Sequence, residues 1–261
     1  MARAYAHAMI DFEVRGRIAL ITINRPEARN AVNGAVASGL QDAVERLEAD
    51  GELWAGVIAG NGPVFSAGAD LKEIAAGRAA ALATERGGFA GITRLPRRKP
   101  LIAAVDGPAL AGGCEIVLTC DLVVASTASS FGIPEVKRAL IAGAGGLFRL
   151  PRAVPLKLAM ELALTGDPIG AERAYEVGFV NELCEPGTAV EHALALADRV
   201  CANAPKAVQA SRDVVLRGMI ASDEEAWRIT DEETDAVMTG EDFAEGPRAF
   251  IEKREPVWTG R

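Results

Sequence analysis

The sequence predicts an α/β protein with a sheet-and-helix core followed by a helical C-terminal portion. Short apolar runs of strand length alternate with segments whose apolar residues recur at helical spacing as far as residue 145. Beyond that point the strand signal almost disappears, and helical patterns follow one another between glycine and proline stops. No Ser/Gly-rich linker, low-complexity tract or repeat interrupts the chain, and 261 residues with 49% hydrophobic content can bury a large core.

The elements follow in order. Ile18 to Asn24 reads as a strand, and Val36, Leu40, Ala43, Val44 and Leu47 mark one apolar helix face. Val57 to Ala59 is a second strand stopped by Asn61-Gly62-Pro63, with a helical pattern from Asp70. Leu101 to Val105 and Leu122 to Ala125 have the length and continuous apolar character of buried strands, and a helix-like segment, Cys114 to Cys120, lies between them. Phe179 to Cys184 is the one later strand signal, among stops at Gly166, Gly178, Pro186, Pro205, Gly218 and Gly240. The helical portion is expected to pack on the core or on another subunit.

Composition removes several function classes. Lys and Arg number 28 against 36 Asp and Glu, so a net charge of −8 gives no global attraction for nucleic acid or anionic lipid. The one basic cluster, Arg94, Arg97, Arg98 and Lys99, is expected to be a solvated loop. The four cysteines lack CxxC spacing and lie in apolar stretches, as reduced, packed thiols do. Two histidines, His7 near a ragged start and His192 on a probable helix surface, leave little material for a metal site or a Ser-His-Asp triad. The absence of an 18-residue apolar run and of a signal-like start leads to an expectation of a cytoplasmic protein with no membrane partner.

Neither GxSxG nor GxxxxGK[ST] occurs, and Gly143-Ala144-Gly145-Gly146 fails the dinucleotide fingerprint because Phe148 stands at its last glycine position. Three glycine-rich turns remain, each leading to an element with a carboxylate. In Ser66-Ala67-Gly68-Ala69-Asp70-Leu71-Lys72, small residues give a ligand access to main-chain amides; the simpler reading is a strand-to-helix turn capped by Asp70. In Asp106 to Glu115, Glu115 is the single charge before an apolar helix, either answering the helix dipole or desolvated into a usable acid or base. In Ser130 to Arg138, Glu135 is a second candidate acid or a solvated carboxylate at a Pro-Glu helix start.

Together with Asn24-Arg25-Pro26 and Asn30-Ala31, these segments stand in the order and spacing of the crotonase (enoyl-CoA hydratase/isomerase) superfamily, which the chain resembles as far as Arg254. The resemblance implies a ClpP-like spiral of ββα units over residues 1–195. It implies a helical region over 196–261 that builds a homotrimer or a dimer of trimers. The substrate would be an acyl-CoA thioester, with coenzyme A part of the substrate and no metal or other cofactor. By the same resemblance the thioester oxygen sits between the amides of Ala69 and Gly112. Ala28, Ala67, Asp70, Leu71 and Lys72 line the CoA path, Arg29 is a candidate phosphate contact, and Gly143 belongs to the substrate site. Phe250 and Lys253 reach CoA from an adjacent subunit. Glu115 would hold and activate water while Glu135 exchanges the proton at the α-carbon. Three positions depart from the family pattern: Ala111 and Ala139 stand where glycine is usual, and Ala142 where proline is.

The implied activity is hydration of a 2-trans-enoyl-CoA to the 3-hydroxyacyl-CoA. Within the class, a carnitinyl-CoA-type dehydratase, an enoyl-CoA isomerase and a thioester hydrolase are alternatives. Paired glutamates favour water addition, because an isomerase can work with the later carboxylate alone. Outside the class stand an RNA-binding relative with residual hydratase activity and a purely structural trimer subunit.

Overall fold

A computed structural model of the chain describes residues 5–7 and 9–261. The strands are β1 (Tyr5–His7), β2 (Ile10–Arg15), β3 (Ile18–Ile23), β4 (Ala55–Gly60), β5 (Ala83–Thr84), β6 (Gly88–Phe89), β7 (Leu101–Val105), β8 (Pro108–Leu110), β9 (Leu122–Ser126), β10 (Ser130–Gly132), β11 (Ile169–Gly170) and β12 (Glu182–Cys184). The helices are α1 (Gly34–Ala49), α2 (Leu71–Ala75), α3 (Gly112–Val117), α4 (Gly146–Ala153), α5 (Leu156–Thr165), α6 (Ala171–Glu176), α7 (Ala189–Cys201), α8 (Pro205–Gly218), α9 (Asp223–Met238) and α10 (Asp242–Glu252).

The main sheet runs β1-β2-β3-β4-β7-β9-β12; the first three strands are antiparallel and β3 onward parallel. A smaller sheet, β11-β10-β8, pairs β8 with β10 in parallel, and isolated bridges from Ser66 to Ala109 and from Val32 to Ala69 continue its ladder. Each turn of the chain thus places one strand in the large sheet, one short extended piece in the small one, and then a helix: β4 with Ser66 and α2, then β7 with β8 and α3. This is the crotonase spiral expected from the resemblance.

The continuous apolar run in β7 has a direct cause. Leu101, Ala103 and Val105 face the main core with α1 and α3, whereas Ile102 and Ala104 face a second layer under α7. A parallel strand covered on both faces has no polar side to alternate with. Helix α1 buries the predicted face of Val36, Leu40, Ala43, Val44 and Leu47, and Asn33 caps it by accepting the Val36 amide at 3.0 Å. Helix α7 runs unbroken through residue 195 and lays Ala189, Ala193 and Ala197 on the sheet.

The basic cluster is not a solvated loop. Arg97 forks onto Asp121 at 2.5 and 3.1 Å, Lys99 Nζ donates to the carbonyls of Leu47 and Asp50 at 2.7 Å each, and Arg98 reaches Glu233 at 2.6 Å. Arg212 of α8 joins Asp121 at 2.9 Å. The segment binds the core to α8 and α9, and of the four only the Arg94 side chain has neither a hydrogen bond nor an ion pair among the described residues. The cysteines are unpaired thiols, and His192 lies on α7 with Nδ1 2.5 Å from Glu182 Oε1. Phe250, Ile251, Val257, Trp227 and Val215 leave large apolar side chains outside the C-terminal helices.

Candidate active site

A cavity of about 780 Å³ opens between α2 with the segment 79–94 on one side and the segments 110–115 and 134–144 on the other. Its wall includes Arg29, Ala67, Ala69, Leu71, Gly112, Glu115, Glu135 and Gly143, eight of the residues expected from sequence.

Two main-chain segments meet at one edge. The Val32 amide donates to Gly68 O at 2.7 Å and Val32 O accepts from Asp70 at 2.9 Å, so this parallel bridge uses residues 68 and 70 and turns the Ala69 amide away from Val32. Gly112 is the first residue of α3, where an amide has no helical acceptor. Among the described residues neither the Ala69 nor the Gly112 amide donates to a main-chain carbonyl. The segments are close: a β-carbon on Gly68 would fall 2.6 Å from Gly112 N. Gly68 also sits at φ +82°, which a side chain resists. Ala111 and Ala139 keep positive φ, 52° and 54°, despite carrying a side chain.

Glu115 is buried on α3, 3% exposed. Its Oε1 accepts the amides of Ala144 at 2.7 Å and Gly146 at 2.9 Å. No described residue bonds Oε2, which is left for the cavity that Glu115 lines. Burial pushes the Glu115 carboxyl up from the ordinary range, while the Gly146 and Ala144 amides and the Arg149 charge work in the opposite direction. Glu135 belongs to the tight helical turn Pro134–Arg138, with Pro134 at its start. Its Oε2 is buried without a hydrogen-bond partner among the described residues. Burial, reinforced by the charge of Glu115 and opposed by its own amide, pushes Glu135 up to about 7. Two carboxyls therefore face one cavity, and the one with anion-stabilising partners is Glu115.

The other expected residues lie elsewhere. Asp70 caps α2 by accepting the Lys72 amide at 3.0 Å and pairs with Arg25 at 2.7 Å, which holds its carboxyl low against the effect of burial. That is the simpler reading of its turn. Ala28 and Lys72 do not line the cavity, and neither do Phe250 on α10 and Lys253 just after it in the same protomer. Sequence reasoning passed over Phe89, whose ring would collide with a β-carbon on Gly112, and Thr93 in the same wall, and it assigned Arg94, also in that wall, to a solvated loop. No group of three His, Cys, Asp or Glu able to hold a metal occurs among the described residues, nor a helix long and apolar enough to cross a membrane.

Known proteins share this architecture. The family model described as enoyl-CoA hydratase/isomerase matches residues 13–261. The 2,3-dehydroadipyl-CoA hydratase of Escherichia coli K12 is 37% identical over 252 residues, covering 94% of this chain and 96% of the relative. Carnitinyl-CoA dehydratase of Salmonella typhimurium shows the same identity and coverage. The crystal structure of enoyl-CoA hydratase from Mycobacterium tuberculosis H37Rv superposes with a TM-score of 0.93 at 49% identity, over 97% of this chain and 99% of that one. With the match spanning nearly its whole length, the chain belongs to the enoyl-CoA hydratase/isomerase family of the crotonase superfamily.

Proposed function

We propose that the protein is a hydro-lyase that reversibly adds water to a 2-trans-enoyl-CoA, giving the 3-hydroxyacyl-CoA. The observation that carries this reading is that Glu115, Glu135 and the unpaired amides of Ala69 and Gly112 share one cavity. The two amides hydrogen-bond the thioester oxygen, and the bonds strengthen as that oxygen gains enolate charge, which makes the β-carbon electrophilic. Glu115 Oε2 accepts a hydrogen from water and takes its proton as the oxygen bonds to the β-carbon. Protonated Glu135 gives its proton to the α-carbon as the enolate collapses to the thioester. Glu115 then returns its proton to solvent and Glu135 recovers one, so the balance is one water added. No step needs a redox change.

The CoA portion follows Ala67 and Leu71 toward Arg29, with Ala28, Asp70 and Lys72 shaping that path. Gly143 borders the acyl end. We extend the reading to the assembly: the C-terminal helices form a homotrimer or dimer of trimers, and Phe250 and Lys253 reach the CoA of a neighbouring subunit. The exposed apolar side chains of that region support this.

Water loss through the same groups is the second reading, favoured by the carnitinyl-CoA dehydratase relative. Isomerisation alone leaves the buried, doubly hydrogen-bonded Glu115 without a task. An RNA-binding role is opposed by the net charge of −8 and by the internal pairing of Arg97, Arg98 and Lys99. The test is to incubate the purified protein with 2-trans-enoyl-CoAs graded by length, and with carnitinyl-CoA, following products by mass spectrometry. A gain of one water on an enoyl-CoA is expected. No conversion of any substrate would overturn the proposal.

A further inference from the structure

Arg149 is a half-buried cation that none of the expected chemistry uses. It lies on the first turn of α4, three residues beyond Gly146, and splits its fork between two carbonyls: Nη1 donates to Ala144 O at 3.1 Å and Nη2 to Thr93 O at 2.7 Å. Those carbonyls belong to opposite walls of the cavity, the segments 134–144 and 79–94. The arrangement is built for this side chain, because a β-carbon on Gly145 would fall 2.0 Å from Arg149 Nη1. Among the described residues no carboxylate lies within ion-pairing distance of Arg149.

Its connection to Glu115 runs through Ala144. The residue whose carbonyl accepts from Arg149 is the residue whose amide donates to Glu115 Oε1, and Gly146, the second donor, opens the helix that carries Arg149. A loop of three small residues, Ala144 to Gly146, has no side chain of its own to fix those amides, so the guanidinium supplies the anchor. The charged surroundings are few. Glu115 faces Glu135 from the 134–138 turn, the neutral Cys114 thiol on its own helix and Arg149 from α4; Arg149 in turn faces Arg152 and Arg97.

We propose that Arg149 is a positioning residue: it ties the carbonyls of Ala144 and Thr93 together so that two amides stay on Glu115 Oε1. The tie is a property of the unliganded protein; its consequence for turnover rests on the hydratase reading above. Arg149→Met removes fork and charge. Arg149→Lys keeps the charge but cannot bridge two carbonyls as a planar fork does.

The experiment reads the Glu115 carboxyl directly, by carbon-13 NMR titration of protein labelled at the glutamate carboxyl carbon, with the resonance assigned by its loss in Glu115→Gln. In Arg149→Met the Glu115 midpoint is expected to rise by about one pH unit or more, and in Arg149→Lys to rise by less, because the charge stays while the bridge is lost. In parallel, kcat for enoyl-CoA hydration should fall ~100-fold in Arg149→Met with KM little changed, and the acid limb of its pH profile should move upward with the NMR midpoint. A Glu115 midpoint unmoved in Arg149→Met overturns the proposal. So does a kcat loss in both variants with the acid limb in place for Arg149→Met, the result of a merely structural role. If Arg149→Met does not fold, Arg149→Lys decides: a raised Glu115 midpoint with reduced kcat supports the tie, and an unmoved midpoint or undiminished kcat overturns it. Should the wild type hydrate no enoyl-CoA, the hydratase reading fails and the NMR titration still judges Arg149.

Discussion

Replacing Gly68 with alanine tests the proposed main-chain oxyanion site without touching either carboxylate. A β-carbon there would lie 2.6 Å from Gly112 N and 3.0 Å from both Leu110 O and Ala111 Cβ. Ordinary contact begins at 3.4 Å, so the Gly112 segment must retreat by about 0.8 Å from the Ala69 segment, a distance that takes a donor out of the roughly 2.7–3.1 Å range an oxyanion requires. Losing one such donor costs ~100- to 1,000-fold in kcat, about 2.7–4 kcal/mol. Backbone strain adds a separate effect on stability, since a side chain at left-handed φ costs ~1–2 kcal/mol. Gly77 separates the two effects: its φ is +75° and nothing lies within 4 Å of a β-carbon. Gly77→Ala should lose stability and keep kcat, whereas Gly68→Ala should lose both. Initial rates of crotonyl-CoA hydration, read from the loss of the conjugated thioester's ultraviolet absorbance, alongside thermal melts, check this. A Gly68→Ala enzyme within a few-fold of wild type, or an equal loss of kcat in Gly77→Ala, would refute the reasoning.

Other predictions concern pH, strain and the core. In the proposed mechanism hydration uses the singly protonated pair with the proton on Glu135, so its kcat/KM should decline as pH rises through about 7 and, on the acid side, decline as Glu115 gains a proton; dehydration uses the same singly protonated pair with the proton on Glu115, and because no net proton is taken up its kcat/KM should follow the same bell. Complete pH-rate profiles in both directions check the sign. Ala111→Gly relieves a residue at φ 52°, ψ −128°; strain of ~1–3 kcal/mol against a glycine penalty of about 0.4–1 kcal/mol predicts a net gain in stability, visible as a raised melting temperature. Asp121→Ala strips Arg97 and Arg212 of their shared carboxylate and the Leu101 amide of its acceptor. It should cost ~3–5 kcal/mol in denaturant unfolding.

What could be read from the sequence followed the strength of local periodicity. Helix α1 and strands β7 and β9 were legible because each buries a whole face or both faces, leaving a pattern that no other conformation explains. Strands β8 and β10 were not: Pro108–Leu110 and Ser130–Gly132 are three residues each, set among turn residues, and are strands only because they pair with one another, Pro108 with Ser130 and Leu110 with Gly132, far apart along the chain. The Arg97 to Lys99 segment read as solvated because its partners lie far along the chain, from Leu47 to Glu233. At the site, Glu115 and Glu135 were visible singly as lone carboxylates after glycine turns, and their pairing came from the family resemblance. Phe89 and Arg149 gave no signal, since an aromatic residue and an arginine near an apolar helix occur for many reasons. Asp70 had two readings, and its bonds to Lys72 and Arg25 are those of the cap and ion pair.

The proposed joint action of Glu115 and Glu135 on one water and one enoyl thioester is tested most directly by following crotonyl-CoA in deuterium oxide with the wild type, Glu115→Gln and Glu135→Gln. Wild type should give 3-hydroxybutyryl-CoA with one deuterium on the α-carbon, and each variant should slow product formation by ~100- to 10,000-fold. Wild-type turnover in either variant would contradict the account.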